Sequence, residues 1–333
     1  MSRRHPLLAA AAVPLLLVLP ACGSSTPVAE TEPAKEVTYL TSFGTFGRDA
    51  YAYVALEKGY FTDAGFKVTI RPGTGSVDVM KLLASEQADY GVADLAAVVT
   101  TQAKEKLPVR AVAAVHQKSL VAIASLDGRI DTPEKLAGAS VADSSGSTVS
   151  VVFPAYAKAA GISADSVKWV PSAPQALPQL LAAGTVDGIG QFVVGKPLLE
   201  RAASGRAVTM LPYADKLPDL YGVGLLTNTR KLDGDRAEVD RFVTALTRGL
   251  NDALDNPAEA AQILKKYQPT QDTAVAAAEL EAMKAYVRVD GTPVGQLDQA
   301  RIQRMIELFS STGTLPAVPA PDDVAVFDVR TGS

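Results

Sequence analysis

Thiols are almost missing from this chain of 333 residues: Cys22 is the only cysteine, and it precedes any sequence able to form a domain. A disulfide inside the folded part is thereby excluded, as is a C-x-x-C redox or zinc site. Histidine is nearly as scarce, with only His5 and His116. The signatures H-E-x-x-H and G-x-S-x-G and the Walker-type phosphate loop are also lacking, which removes the usual marks of zinc protease, serine hydrolase and nucleotide chemistry. His116 has no cysteine partner and no ligand cluster, so it reads as a structural or surface side chain. No catalytic residue, metal or cofactor is expected. Basic residues are in deficit, 32 against 36 acidic, for a formal charge of −4. Without Arg3 and Arg4 the balance becomes 30 against 36, or −6. That leaves no basic footprint for a nucleic acid partner. Beyond Cys22 no apolar run approaches the ~20 residues that span a bilayer.

What is present begins with an address. Arg3, Arg4 and His5 precede an apolar stretch from Leu7 to Ala21, within the range of about 7–15 residues expected for a signal-peptide core. The run Leu19-Pro20-Ala21-Cys22, followed by Gly23-Ser24-Ser25, resembles a bacterial lipoprotein signal. Pro20 stands where a small residue is commoner. Residues 1–21 are expected to be removed and Cys22 to be lipidated, placing the protein outside the cytoplasm on a membrane anchor. Residues 22–36 are small, polar and proline-bearing, as a flexible tether should be.

From residue 37 the texture alternates. Strands are expected at 37–40, 66–70 and 90–93, and helices at 50–58 and 77–85. The rhythm resumes with strands at 111–115, 120–124, 140–142, 167–170 and 188–190. A capped helix start at 132–136 and helices at 149–160 and 173–183 lie between them. This pattern predicts an α/β protein with mainly parallel sheets covered on both faces. Helices follow at 238–256, 257–267, 272–286 and 297–311, and 324–329 reads as a closing strand. A 47% hydrophobic composition over roughly 300 residues supplies core for two lobes or one large domain.

Two Ser/Gly loops lead from strand to helix: Gly73-Thr74-Gly75-Ser76 and Ser144-Ser145-Gly146-Ser147-Thr148. Helix starts of this kind hold oxyanions on backbone N–H groups, although turn and cap chemistry alone would also place Ser and Gly there. Aromatic residues cluster after strands: Phe43, Phe46, Tyr51, Phe192, Tyr213 and Tyr221. Ligands of open α/β sheets bind beyond the carboxyl ends of strands, so these rings stack on a flat ligand or close the core. Asp94 binds a ligand amine or caps the helix starting at Leu95. Glu57-Lys58 reads as a solvated face.

The run Tyr53-Val54-Ala55-Leu56-Glu57-Lys58-Gly59-Tyr60-Phe61, with Gly65-Phe66-Lys67-Val68, Gly73-Thr74-Gly75 and Leu83-Ala84-Ser85-Glu86-Gln87-Ala88-Asp89-Tyr90-Gly91, resembles the SsuA/THI5-like (NMT1-like) family. Leu136-Ala137-Gly138, Gly161-Ile162 and Leu181-Ala182-Ala183-Gly184-Thr185-Val186-Asp187-Gly188 agree. These are solute-binding proteins of ABC importers. The resemblance implies a type II periplasmic-binding fold, two α/β lobes joined by two hinge strands. Lobe I would take 37–124 plus 226–333 and lobe II 125–225, with crossings near Ile123-Ala124-Ser125 and Leu225-Leu226-Thr227. It also implies a monomer, a small-molecule ligand, and permease and ATPase partners. A yeast-type pyrimidine synthase shares the fold but uses a cysteine-rich motif and a histidine that this chain lacks, so no enzymatic activity is expected.

The expected ligand shell comprises Ser42, Phe43, Thr45, Arg48 and Tyr51, the residues Gly73, Thr74, Gly75, Ser76 and Asp94, the second loop, and Gln191, Phe192 and Tyr221. Phe43, Tyr51 and Phe192 favour a flat heterocycle such as a thiamine pyrimidine precursor, which is the leading expectation. The Ser/Gly helix starts and Arg48 favour a sulfonate, taurine or related anion. A surface or sensor lipoprotein without transport remains the other class.

Overall fold

The computed structural model describes residues 33–144, 147–313 and 315–332. The signal peptide, Cys22 and most of the tether lie outside the described residues. From Ala34 onward the chain forms one unit. It opens with β1 (Lys35–Leu40), β2 (Phe43–Gly44), α1 (Ala50–Glu57), α2 (Tyr60–Asp63), β3 (Phe66–Arg71) and β4 (Gly73–Thr74). Then come α3 (Ser76–Ala84), β5 (Tyr90–Asp94), α4 (Leu95–Glu105) and β6 (Val109–Ala114). The middle of the chain supplies β7 (Val121–Leu126), β8 (Ser140–Asp143), α5 (Thr148–Ala160), β9 (Lys168–Pro171) and α6 (Leu177–Ala182). It continues through β10 (Gly188–Phe192), α7 (Lys196–Ala202) and β11 (Val208–Pro212). The return begins with β12 (Val223–Asn228), α8 (Thr229–Gly234) and α9 (Arg236–Asp255). It ends with α10 (Pro257–Tyr267), α11 (Thr273–Val287), α12 (Gln299–Ser310) and α13 (Pro321–Val324).

The strands form two five-stranded sheets, ordered β3-β1-β5-β12-β6 and β11-β7-β10-β8-β9. In the first, β12 runs against both its neighbours while β1, β3 and β5 are parallel. In the second, β7 runs against β10 and β11 while β8, β9 and β10 are parallel. Each sheet is therefore mainly parallel, and its one reversed strand is the first laid down after the chain changes sheets. β5 and β7 are buried at every position, as strands covered on both faces must be. Edge strand β3 alternates instead, with Phe66 and Val68 inside and Lys67 and Thr69 exposed.

The expected crossings fall elsewhere. Ile123 pairs with Gly190 and Leu211, and Leu225 with Val92 and Ala113, so both sites lie in the middle of strands. The sheets change over 115–120 and 213–222, before the apolar runs. Residues 324–329 form no strand. Pro321 starts a helical turn whose Asp323 carboxylate accepts the Ala320 N–H at 3.1 Å, leaving Ala325 a single bridge to Ala111. Residues 133–136 are a 3-10 turn, and prolines 174 and 178 split the helix expected at 173–183 into a 3-10 turn and α6. Strand β11 and helix α7 were not anticipated.

The first sheet is covered by α9, whose Phe242 is fully buried. Its ring stacks on Tyr90 at 3.8 Å between centroids, lies 5.1 Å from Phe61 and 5.5 Å from Phe66, and 6.4 Å from Tyr39. Among the described residues no helix is long and apolar enough to cross a membrane.

Candidate functional site

The carboxyl ends of β1, β5, β8 and β10 carry the site. After β1 the chain turns back as β2, which pairs with β4: Phe43 opposite Thr74 and Gly44 opposite Gly73. Gly73 is required by close approach, because a Cβ there would sit 2.0 Å from the Thr41 carbonyl oxygen. The Gly75 N–H donates to the Ser42 carbonyl at 3.0 Å, and the Asp94 N–H donates to Ser76 Oγ at 3.1 Å. Ser42, Phe43, Gly73, Thr74, Gly75, Ser76 and Asp94 are thus brought together as one lip. Phe43 is 46% exposed. Thr74 is exposed and donates to Asp78.

Arg48 occupies the junction between the two halves. Its guanidinium lies 4.7 Å from the Phe46 ring, on the first sheet's side, and 5.5 Å from the Phe192 ring at the end of β10. Among the described residues it makes no ion pair. Glu279 on α11 is its nearest structural support, accepting the Arg48 backbone N–H at 3.2 Å. Asp49 accepts the Phe46 N–H at 2.9 Å. Both acids are buried, and burial raises the pKa of each, Glu279 to about 7, with the Arg48 charge pulling the other way. Neither carboxyl forms an ion pair with the Arg48 guanidinium among the described residues; each accepts a backbone N–H instead. Thr45 Oγ1, close by in sequence, is buried without a hydrogen-bond partner among the described residues. Gln271 holds this segment by donating to the Thr45 carbonyl at 2.8 Å.

The second loop is anchored by Asp143, which ends β8. It accepts the Ser144 N–H at 2.8 Å and the Ser147 hydroxyl, and Ser147 in turn caps α5 through the Ser150 N–H. Burial raises the Asp143 pKa, opposed by these hydrogen bonds. A Cβ on Gly190 would lie 2.6 Å from the Asp143 carboxyl, so that carboxyl packs directly against β10. The side chain of Gln191 accepts the Phe192 N–H at 2.8 Å. Thr148 is the first residue of α5. Ser145 and Gly146 lie outside the described residues.

Two expected ligand residues belong to the core. Tyr51 is 2% exposed and its hydroxyl meets that of Tyr39 at 3.0 Å. Every residue from Ala50 to Ala55 is buried, so α1 has no free face near the site to offer a ring. Tyr221 is 1% exposed, its hydroxyl accepting the Asp298 N–H. Tyr213 stacks on Tyr156 at 4.2 Å. His116 is structural, as expected: its Nδ1 accepts the Val223 N–H and its Nε2 contacts Met283 Sδ at 3.1 Å. Burial, then the charge of Arg48, lowers its pKa to about 3. Glu57 and Lys58 are tied down rather than free, to Lys266 and Tyr267 and to Asp252 and Glu259.

Asp94 caps α4, its Oδ1 accepting the Ala96 N–H at 2.9 Å. Burial raises its pKa to about 7, opposed by the N–H groups of Ala96 and Ala97. An unfolded aspartate titrates near 4, so the native state holds the extra proton between about pH 4 and 7 and stability falls as pH rises through that window. Asn caps a helix as well as Asp does. Asp94→Asn is therefore expected to match the wild type near pH 5 and exceed it near pH 8 in urea-melt midpoint. Parallel losses in both proteins would contradict this.

Two mixed sheets with two crossings and a site between strand ends define the two-lobed periplasmic-binding architecture. The NMT1/THI5-like family model matches residues 49–260, and the chain belongs to that family. Solved structures agree in fold. The alkanesulfonate-binding protein SsuA from Xanthomonas axonopodis pv. citri, bound to MOPS, is 18% identical with a TM-score of 0.68, covering 88% of this chain and 98% of its own. The Escherichia coli aliphatic sulphonate binding protein SsuA is 14% identical with a TM-score of 0.69, covering 87% and 97%. The ligand-binding component of an ABC-type import system from Staphylococcus aureus, with zinc bound, is 15% identical with a TM-score of 0.68, covering 89% and 99%. No curated protein matches the sequence.

Proposed function

We propose that the protein is an extracytoplasmic solute-binding protein of an ABC importer, without enzymatic activity, that captures a small organic anion between its lobes. A sulfonate is the lead class. The observation that carries this is the guanidinium of Arg48 between Phe46 and Phe192, without an ion pair among the described residues. Guanidinium binds planar or tetrahedral oxyanions through paired N–H donors, and the flanking rings would cover an apolar body. The similarity to sulfonate-binding structures supports the same class. The heterocycle reading loses Tyr51 to the core but keeps Phe192 and the exposed Phe43.

A thermal-shift panel of alkanesulfonates, taurine, pyrimidines, flavins and amino acids separates these readings. An organosulfonate at 100 times its Kd should add about 2.7 kcal/mol of stability. A shift with pyrimidines alone would establish the heterocycle, and a response only to a protein or lipid would replace transport with a surface role. The anchor has its own test. Cys22→Ala should move the protein from the membrane to the soluble fraction, and continued membrane attachment would refute lipidation at Cys22.

A further inference from the structure

The two stretches that change sheets, 115–120 and 213–222, run side by side. The Val115 and His116 N–H groups donate to the Val223 carbonyl at 2.9 and 3.0 Å, and the Ser119 N–H to that of Leu220 at 2.9 Å. Gly222 permits the approach, since a Cβ there would lie 2.8 Å from His116 Cβ and 2.9 Å from the Lys118 oxygen. From behind, α12 sends one side chain to both stretches. Arg301 donates through Nη2 to the carbonyl of Gln117 in the first, and to that of Pro218 at 3.1 Å in the second. Its Nε donates to the Asp219 carbonyl at 3.1 Å, and its guanidinium carbon lies 3.7 Å from the Tyr221 ring centre. A rigid planar fork with five donors can satisfy three carbonyls at once; an ammonium on a flexible stem cannot hold the same geometry.

We propose that Arg301 is a positioning residue for lobe movement, pinning the two crossing stretches into one block so that bending is confined to their ends. Without the pin the stretches bend independently, and the ligand-free protein samples more lobe separations. This rests on the solute-binding reading only in assuming that the lobes move, and it concerns no residue of the ligand site.

The test needs no ligand. In the full chain carrying Cys22→Ser, spin labels on Lys67→Cys and Lys168→Cys, exposed positions on the two sheets, report interlobe distance by pulsed electron resonance. Arg301→Met should broaden the distance distribution by at least about twofold, and Arg301→Lys should broaden it by less. Arg304→Gln, which removes an exposed ion pair from the same helix to Asp219, should leave it unchanged. An unchanged distribution in folded Arg301→Met, or equal broadening by Arg304→Gln, would overturn the proposal. Should Arg301→Met fail to fold, an unchanged width in Arg301→Lys would overturn it as well. If no solute binds while the broadening appears, the ligand reading fails and the pin stands.

Discussion

Arg48→Met is expected to weaken binding of an organosulfonate by about 30-fold or more, since truncating one side of a desolvated charge pair costs about 2–5 kcal/mol. Methionine keeps an unbranched stem against Phe46 and Phe192 and removes the charge together with the N–H donors. The ligand-free protein should lose modest stability at neutral pH and above, because Arg48, though without an ion pair among the described residues, favours the ionised forms of the buried Asp49 and Glu279. Calorimetric titration alongside a ligand-free melt separates the two effects. Arg48→Lys should fall between, retaining the charge without the fork. Undiminished affinity in Arg48→Met would eliminate the anion reading and return the aromatic pair to first place.

The largest effect on stability is expected at Phe242. Its ring joins α9 to Tyr39 on β1, Phe66 on β3 and Tyr90 on β5, and to Phe61 on α2. Removing a fully buried phenyl group forfeits transfer energy and leaves a cavity, for about 3–5 kcal/mol. Phe242→Ala should therefore lower the guanidinium midpoint sharply, and Phe242→Leu should lower it less. A cost below about 1 kcal/mol for the alanine variant would show that the sheet holds α9 through other contacts.

How far the sequence revealed this fold depends on the range of the interactions involved. Strands such as β3 announce themselves by alternation, and α5 by Ser147 before it and Gly161 after it. Those signals are local. Tyr51 misled because a ring near a strand end says nothing about which way its helix faces, and α1 is buried throughout from Ala50 to Ala55. Tyr221 misled because its partners, Asp298 and Arg301, arrive from far along the chain. Glu279 lies 231 residues from the N–H it accepts. Its one local trace is an acid on the buried stripe of α11 beside Ala276, Leu280 and Met283. The crossings were displaced because continuous apolar runs mark strands and leave open which sheet receives them. The strand-to-helix turns after Asp143 and at Gly73–Thr74 were legible as turns, since small residues between strand and helix state a backbone requirement directly.

The position of β12 sets an order of assembly. It lies between β5 and β6, yet is made more than a hundred residues after either. The second sheet is drawn from one continuous stretch, β7 to β11, and can close early on low contact order. The first sheet stays split down its centre until residue 228 has emerged. The half of the fold that begins the chain is thereby the last to be completed.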